Sequence, residues 1–289
     1  MARRYAPGGL GGSGLVRVVA SNPSPMTAAG TNSYLVGTSD LAVIDPGPDL
    51  SDHLDALEDA IDGRPVRAIL VTHAHLDHSP GAHPLARRVG APVLAFGPVE
   101  TAPSDAGIGG GEGVDRAFTP DRTLSHGATV TGDGWTLTAL HTPGHMADHL
   151  SFHWVERRET FTGDTVMGWA STMISPPDGD LGQFLASLDR LEALDANRFH
   201  PGHGDPVDRP GQRCRDLRVH RDGRTQAILA ALPTAPTIQD LVAAIYRDVP
   251  ATLHGAAARN VLAHLLHLHG MGRVGADPGP SLDARWHLT

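Results

Sequence analysis

The chain has 289 residues, 40% of them hydrophobic, and a formal net charge of -9. It can bury a sizeable core, as one large domain or a large one plus a small one. All 23 basic residues are Arg and none is Lys, which excludes a lysine Schiff base or nucleophile, and the acidic balance argues against a broad nonspecific nucleic-acid surface. The single cysteine, Cys214, excludes an intrachain disulfide framework. The opening residues lack the continuous apolar core of a secretory signal, and no apolar run of about 18 residues occurs elsewhere, so a cytoplasmic protein with no membrane partner is expected.

In chain order, residues 1–14 read as a flexible lead-in, rich in Gly and Pro from 7 onward. LVRVVA (15–20), NSYLVG (32–37) and LAVIDPG (41–47) read as strands, and SDHLDALEDAI (51–61) as a helix with a Ser start and apolar residues at helical spacing. RAILVTH (67–73) is a strand, PLARRVG (84–90) a helix and APVLAF (91–96) a strand. Residues 97–113 are glycine-rich and aperiodic, either a lid beside a site or a plain surface insertion. TVTGDGWTLTALHTPGH, HLSFHW and ETFTGD add three strands. DLGQFLASLDRLEALD is an amphipathic helix and RFHPGHG a short strand and loop. Two sets of strands with helices attached predict an α/β four-layer αββα sandwich over 15–215.

Past about residue 220, RTQAILAALP, TIQDLVAAIYRDV and LHGAAARNVLAHLLHLHGMG predict three helices, followed by two short strands around a Gly and Pro rich turn. This is a small winged-helix-like domain, assigned to 216–289. Its shape suits nucleic-acid docking through a helix. The last helix carries His264, His267 and His269 but only Arg259 as a basic residue, which favours a packing or dimerisation module. The six Arg between Arg209 and Arg224 are interrupted by Asp216 and Asp222 and read as a solvated helical face.

The chemistry concentrates at strand ends. THAHLDH (72–78) places His73, His75, Asp77 and His78 where a strand delivers the chain to a loop; His and carboxylate side chains suit zinc and similar ions. HTPGH presents His145, TGD presents Asp164 and HPGHG presents His203, each beside a Gly that lets the backbone turn closely. Any one has a dull explanation as a turn histidine, a cap or a surface residue; four in order after strands point to a dinuclear metal site.

These motifs together resemble the metallo-β-lactamase superfamily, over roughly residues 15 to 215. The resemblance implies that His73, His75 and His145 hold one ion, that Asp77, His78 and His203 hold the second, and that Asp164 bridges them. Asp45 and Gly47 match the family's supporting DPG element. Within the superfamily the chain is most similar to the lactamase-β-2-like branch, whose members add a C-terminal winged helix; TNSYLVG, HTPGHMADHL, TIQDLVAAIY and LHGAAARNVLAHLLHL extend the likeness almost to full length.

Two cations about 3.5–4 Å apart lower the pKa of a shared water and stabilise developing oxygen charge, so the expected activity is hydrolysis by a metal-bridging hydroxide. Asp77 would orient that nucleophile or relay its proton. The expected cofactors are two divalent ions, Zn2+ first, with Mn2+ or Fe as alternatives. Branch likeness narrowly favours a phosphodiester of single-stranded RNA, cut as by an endoribonuclease. Small acyl substrates follow closely, a thioester or lactone ahead of a β-lactam, and the net charge weighs against RNA. A reading of another class is a nucleic-acid-binding module with a structural metal, but seven convergent ligands exceed what a closed structural site requires. Around the ligands, Asn32 and Tyr34 either reach the cavity or serve as turn and core. Asp148 and His149 either fix ligand tautomers or lie exposed on the next strand. Met167, Trp169, Met173 and Ile174 either line an apolar wall of the cleft or fill the interlayer core. A homodimer is the commonest arrangement for such a chain.

Overall fold

The strand segments alternate which neighbour they pack against, and that alternation builds the layers. In the computed structural model, which describes residues 14–97, 108–111 and 113–289, β2 (Asn32–Val36), β3 (Leu41–Ile44) and β4 (Val66–Leu70) are almost wholly buried. Tyr34, Val36, Ala42, Ile44, Ala68 and Leu70 point into one apolar cluster. The residues between them, Leu35, Val43 and Ile69, point into another. Side chains two apart share a face of a strand, and a strand covered on both faces reads as a continuous apolar run.

The first sheet runs β1 (Leu15–Val19), β2, β3, β4, β5 (Val93–Ala95) and β6 (Arg122–Thr123), antiparallel at its start and parallel from β3 onward. The second runs β11 (Arg198–Pro201), β10 (Glu159–Gly163), β9 (Leu150–Trp154), β8 (Trp135–His141), β7 (Thr129–Gly132). Trp135, Leu137, Phe152 and Phe161 of the second sheet join the first sheet's inward residues between the layers. α1 (Ser51–Ile61) and α2 (Ala82–Val89) cover the outer face of the first sheet through Leu54, Leu57 and Leu85. α3 (Leu181–Ala193) and α4 (Pro210–Ala231) cover the second, Phe184, Leu188 and Leu217 packing with Phe199. The predicted four-layer sandwich is the observed one.

Behind it, the end of α4, α5 (Ile238–Ile245), α6 (His254–Gly270) and the hairpin of β12 (Val274–Asp277) and β13 (Arg285–Leu288) enclose a separate core of Ile228, Ile238, Leu241, Leu262 and Trp286. This is the small winged-helix domain. Thr237 caps α5 by accepting from the Asp240 amide at 3.2 Å, a start signal of the usual kind.

Three details differ from the sequence reading. TVTGDGWTLTALH is a hairpin of two strands, β7 and β8, turning at Asp133 and Gly134, because Gly134 supplies a φ of +77°. The short strand β6 was not foreseen; two exposed residues carry no periodicity. The arginine-rich stretch is not a uniformly solvated face, since Arg221 is only 2% exposed. The expected flexible lead-in covers residues 1–14, all of which except Gly14 lie outside the described residues, and the lid expectation for 97–113 falls mainly on 98–107 and 112, which also lie outside them. Among the described residues no helix is long and apolar enough to cross a membrane.

Candidate metal centre

Both sheets end at one place. β4 runs into Thr72–Ser79, β8 leads to His145, β10 is followed directly by Asp164 and β11 leads to His203. The ligand atoms fall into three overlapping groups, His73 with His75 and His145, His73 with His78 and Asp164, and Asp77 with His78 and His203, all within 4.8 Å inside each group. His73 Nε2 stands 3.0 Å from His75 Nδ1, which is 3.1 Å from His145 Nε2. Asp77 Oδ2 is 3.2 Å from His203 Nε2 and 3.6 Å from His78 Nε2. Asp164 lies between the two halves, 3.8 Å from His145 Nε2, 3.6 Å from His78 Nε2 and 3.3 Å from His203 Nε2. Gly202 is obligatory here, because a Cβ would collide with Asp164 Oδ1 and His78 Cε1.

The outer nitrogens decide what the inner ones can do. His145 Nδ1 donates to the Met173 carbonyl at 2.8 Å and His203 Nδ1 to the Gly30 carbonyl at 3.3 Å; a carbonyl can only accept, so in each neutral ring Nε2 presents a lone pair. Asp45 sets two more. Its Oδ2 accepts from His78 Nδ1 at 3.0 Å and from the Thr72 hydroxyl at 2.8 Å, while Oδ1 accepts from the Thr72 amide at 2.7 Å. Having spent its proton on Asp45, the Thr72 oxygen accepts from His73 Nδ1 at 3.0 Å. One buried carboxylate therefore turns the Nε2 lone pairs of both His73 and His78 inward.

Converging lone pairs need a cation. His78 Nε2 and Asp164 Oδ1 are buried without a hydrogen-bond partner, a costly state unless something positive lies among them. Ligand atoms about 2.1 Å from a tetrahedral ion stand about 3.4 Å apart, which matches the spacings above. The donor set of imidazoles and carboxylates fits two divalent cations such as zinc, manganese or iron.

The two halves differ electrostatically. Burial, reinforced by neighbouring imidazoles, holds His73, His75 and His145 below their ordinary value, His75 at about 3, so they offer neutral nitrogens. Burial also works against charge on His203, but Asp164 and then Asp77 outweigh it and lift the ring to about 9. At neutral pH without a cation His203 is protonated, and Asp77, Asp164 and Asp45 outweigh burial to hold His78 above its ordinary value as well, so an ion entering the Asp77 side must displace protons from both rings. We expect proton release on metal binding at pH 7, with affinity on this side rising about tenfold or more per pH unit until pH reaches about 9. Calorimetry in buffers of different ionisation enthalpy measures it; affinity independent of pH between 7 and 9 would refute it.

The flanking residues take specific places. Asn32 Nδ2 donates to the Pro201 and Gly204 carbonyls at 2.9 and 2.8 Å, and the Tyr34 hydroxyl to Pro201 at 2.7 Å. Both strap the loop carrying His203, with Tyr34 inside the intersheet core. Asp148 and His149 are buried, and neither bonds a ring nitrogen of a candidate ligand. Asp148 Oδ2 accepts from the Ala74 amide between His73 and His75 at 3.0 Å, and His149 Nε2 accepts from the Asp164 amide at 3.2 Å. They hold backbone rather than tautomers. Met167 and Ile174 belong to the core, whereas Trp169 is 45% exposed and borders a cavity next to His203. Residues 26–203 match the sequence family described as the metallo-beta-lactamase superfamily.

The chain belongs to the metallo-β-lactamase superfamily.

It is a metal-dependent hydrolase of that superfamily, and residues 237–286 match its associated winged-helix domain. A beta-lactamase-like protein 2 homolog of Caenorhabditis elegans is 31% identical over 86% of this chain and 81% of its own. The Drosophila melanogaster homolog is 30% identical over 91% and 90%. Among solved structures, the metallo-beta-lactamase family protein TTHA1429 from Thermus thermophilus is 26% identical with a TM-score of 0.77, covering 96% of this chain and 99% of that one. TTHA1623, solved in a di-iron-bound form, is 29% identical with a TM-score of 0.52 over 68% of this chain and 95% of its own. The residues that sequence reasoning missed in this superfamily site are Thr72 and the Met173 carbonyl. Thr72 adjoins the histidine cluster and was open to view; a backbone oxygen leaves no trace in the sequence.

Proposed function

We propose that this protein hydrolyses an acyl bond, a thioester or related ester, in a small substrate with an apolar body. The observation that carries the reading is a cavity of about 570 Å³ beside His203, lined by Val19, Ala28, Ala29, Trp169 and Pro206, within the size range of small-molecule sites. Its one basic side chain, Arg17, is held by the Gly204 carbonyl at 3.1 Å and Asp205 at 3.3 Å. Most of the arginines that would draw a phosphate backbone already have partners within the protein. Arg213 donates to the Met167 and Ala170 carbonyls, Arg215 pairs with Glu192, Arg218 with Asp189, and Arg224 lies over Tyr246. Arg259, the only arginine on the helix that a nucleic-acid reading would use, is 9% exposed and bonded to Ser175 and Ile108. These contacts shift the preference from RNA to an acyl substrate.

In this reading His73, His75 and His145 would hold one ion and Asp77, His78 and His203 the other, with Asp164 available to both. Zinc is the first choice, with iron or manganese suited to the same donors. When bound, the ions supply Lewis acidity and a nucleophile at neutral pH. The chain's own part is to hold the acyl group's apolar end against Trp169 and to take a proton at Asp77. Asp77 Oδ2 meets Thr31, His78 and His203, so Oδ1 remains for the proton.

The test is a panel of thioesters, esters and lactones of increasing acyl length beside labelled single-stranded RNA, all with zinc-loaded and manganese-loaded protein. Acyl turnover that improves with chain length is expected. Trp169→Ala should raise KM for the longer substrates roughly tenfold with kcat little changed, the mark of binding shared by ground and transition states. RNA cleavage without acyl turnover would overturn the assignment.

A further inference from the structure

The winged-helix domain grips the metal centre through one short segment. Residues 172–175 follow Asp164 and contain the Met173 carbonyl that receives His145 Nδ1. The bonding groups on either side of that carbonyl are taken by α4 and α6. Arg221 Nη2 donates to the Thr172 carbonyl. The Ile174 amide donates to Asn260 Oδ1 at 3.2 Å, and Arg221 Nη1 donates to the same oxygen at 3.0 Å. Arg259 Nε donates to the Ser175 hydroxyl at 2.9 Å. On its other side the segment is tied to the candidate bridging residue, as the Thr172 hydroxyl donates to the Asp164 and Thr165 carbonyls at 2.8 and 2.9 Å.

We propose that the winged-helix domain, together with the helix α4 that leads into it, is a positioning device for the metal centre, in which Arg221, Arg259 and Asn260 fix residues 172–175 and so hold the Met173 carbonyl that orients His145. The proposal rests on the metal reading of the site and is independent of the substrate. Arg221 is the telling residue. It is 2% exposed, lies 5.3 Å from the Phe184 ring centroid and has no ion pair among the described residues. Burying a guanidinium without a carboxylate is expensive, and an apolar side chain would pack α4 as well. What an apolar side chain lacks is a donor fork that reaches a backbone carbonyl and an asparagine at once. Asn260 accepts from both the loop and Arg221, so the loop position is set jointly by two helices. A ligand imidazole whose outer nitrogen is bonded keeps its ring plane and tautomer, and removing such a partner costs about 10–100-fold in metal affinity. Asn260, Arg221 and Arg259 touch no ligand side chain in these contacts; they act through the loop and are positioning residues.

The experiment measures Co2+ binding to the full chain by chelator competition and by the visible absorption of the bound ion. Wild type is compared with Asn260→Ala, Arg221→Met, Arg221→Lys and, as a control on α4 that bonds α3 rather than the loop, Arg218→Ala. Folding of each is checked by circular dichroism. Asn260→Ala and Arg221→Met should weaken one of the two ions by about 10–100-fold and change its spectrum, with the other ion little affected. Arg218→Ala should match wild type, and Arg221→Lys should recover part of the loss. In a His145→Ala background Asn260→Ala should have no further effect, because residues acting through one another are not additive. Variants that melt earlier yet bind both ions as wild type does would reduce the contact to domain glue and overturn the proposal, as would an undiminished effect of Asn260→Ala without His145. The second variant guards against misfolding of Arg221→Met. Wild type that binds no Co2+ would remove the metal reading itself, a failure visible before any variant is compared.

Discussion

Replacing Asp77 by alanine should lower the hydrolytic rate by about 10²–10⁴-fold, the usual contribution of a positioned proton acceptor, with the fold intact. Asp77 is more open than His78, His145, Asp164 or His203, its side chain 28% exposed against 11% for Asp164 and 0% for His78. It supports little packing, so stability has little to lose. Its carboxylate also helps keep His203 charged when no ion is present, and its loss should lower the His203 pKa and weaken the ion on that side. Asp77→Asn separates the two roles: the amide keeps an oxygen near His78 and His203 but cannot take a proton. Rate and metal content are measured together on the same preparations. If Asp77→Ala with full metal content works within a few-fold of wild type, Asp77 has no part in proton transfer.

Asp45→Asn should damage the centre from behind, at about 10–100-fold in affinity for the His78 side. Asp45 is 2% exposed and accepts three hydrogen bonds, two from Thr72 and one from His78. An asparagine that keeps its oxygen toward the Thr72 amide presents an N–H to Thr72 and His78. His78 Nδ1 must then accept, and its proton moves to Nε2, the atom facing Asp77 and Asp164. Asp45→Ala should do more, stripping three buried donors and costing about 3 kcal/mol or more of stability. Denaturant unfolding of metal-free protein gives the stability change, and chelator competition the affinity. The asparagine variant should lose much more metal affinity than stability; equal affinity in Asp45→Asn and wild type would refute the tautomer argument.

Much of this centre was readable before folding because its parts are local. His73, His75, Asp77 and His78 occupy one heptapeptide, and a strand end followed by such residues advertises itself. His145, Asp164 and His203 each sit in a Gly-bearing turn after a strand, for the steric reason that Gly202 displays against Asp164. The roles of Asp148 and His149 were less legible. Either could have met a ligand ring, and which atom a buried side chain meets is settled by the neighbouring strand. Trp169 and Met167 are two residues apart, yet one lines a cavity and the other is core.

Hydrophobic alternation along β2, β3 and β4 and the order of the histidine and aspartate motifs are properties of consecutive residues, so the sequence by itself determined the sandwich, the appended winged helix and the metal-binding chemistry. The arginines were decided only by tertiary structure. Arg218, Arg221 and Arg224 are spaced three apart on one helix and look alike in sequence. One pairs with Asp189 on the surface, the next is buried against Thr172 and Asn260, and the third lies over Tyr246. A guanidinium is a surface charge or an internal strut according to what packs against it, and those partners come from α3, the end of α5, α6 and the loop after β10, about 20 to 50 residues away. The same long-range packing set the arginine and asparagine of a domain that sequence reasoning favoured as a packing or dimerisation module against residues 172–175, the loop whose Met173 carbonyl receives His145.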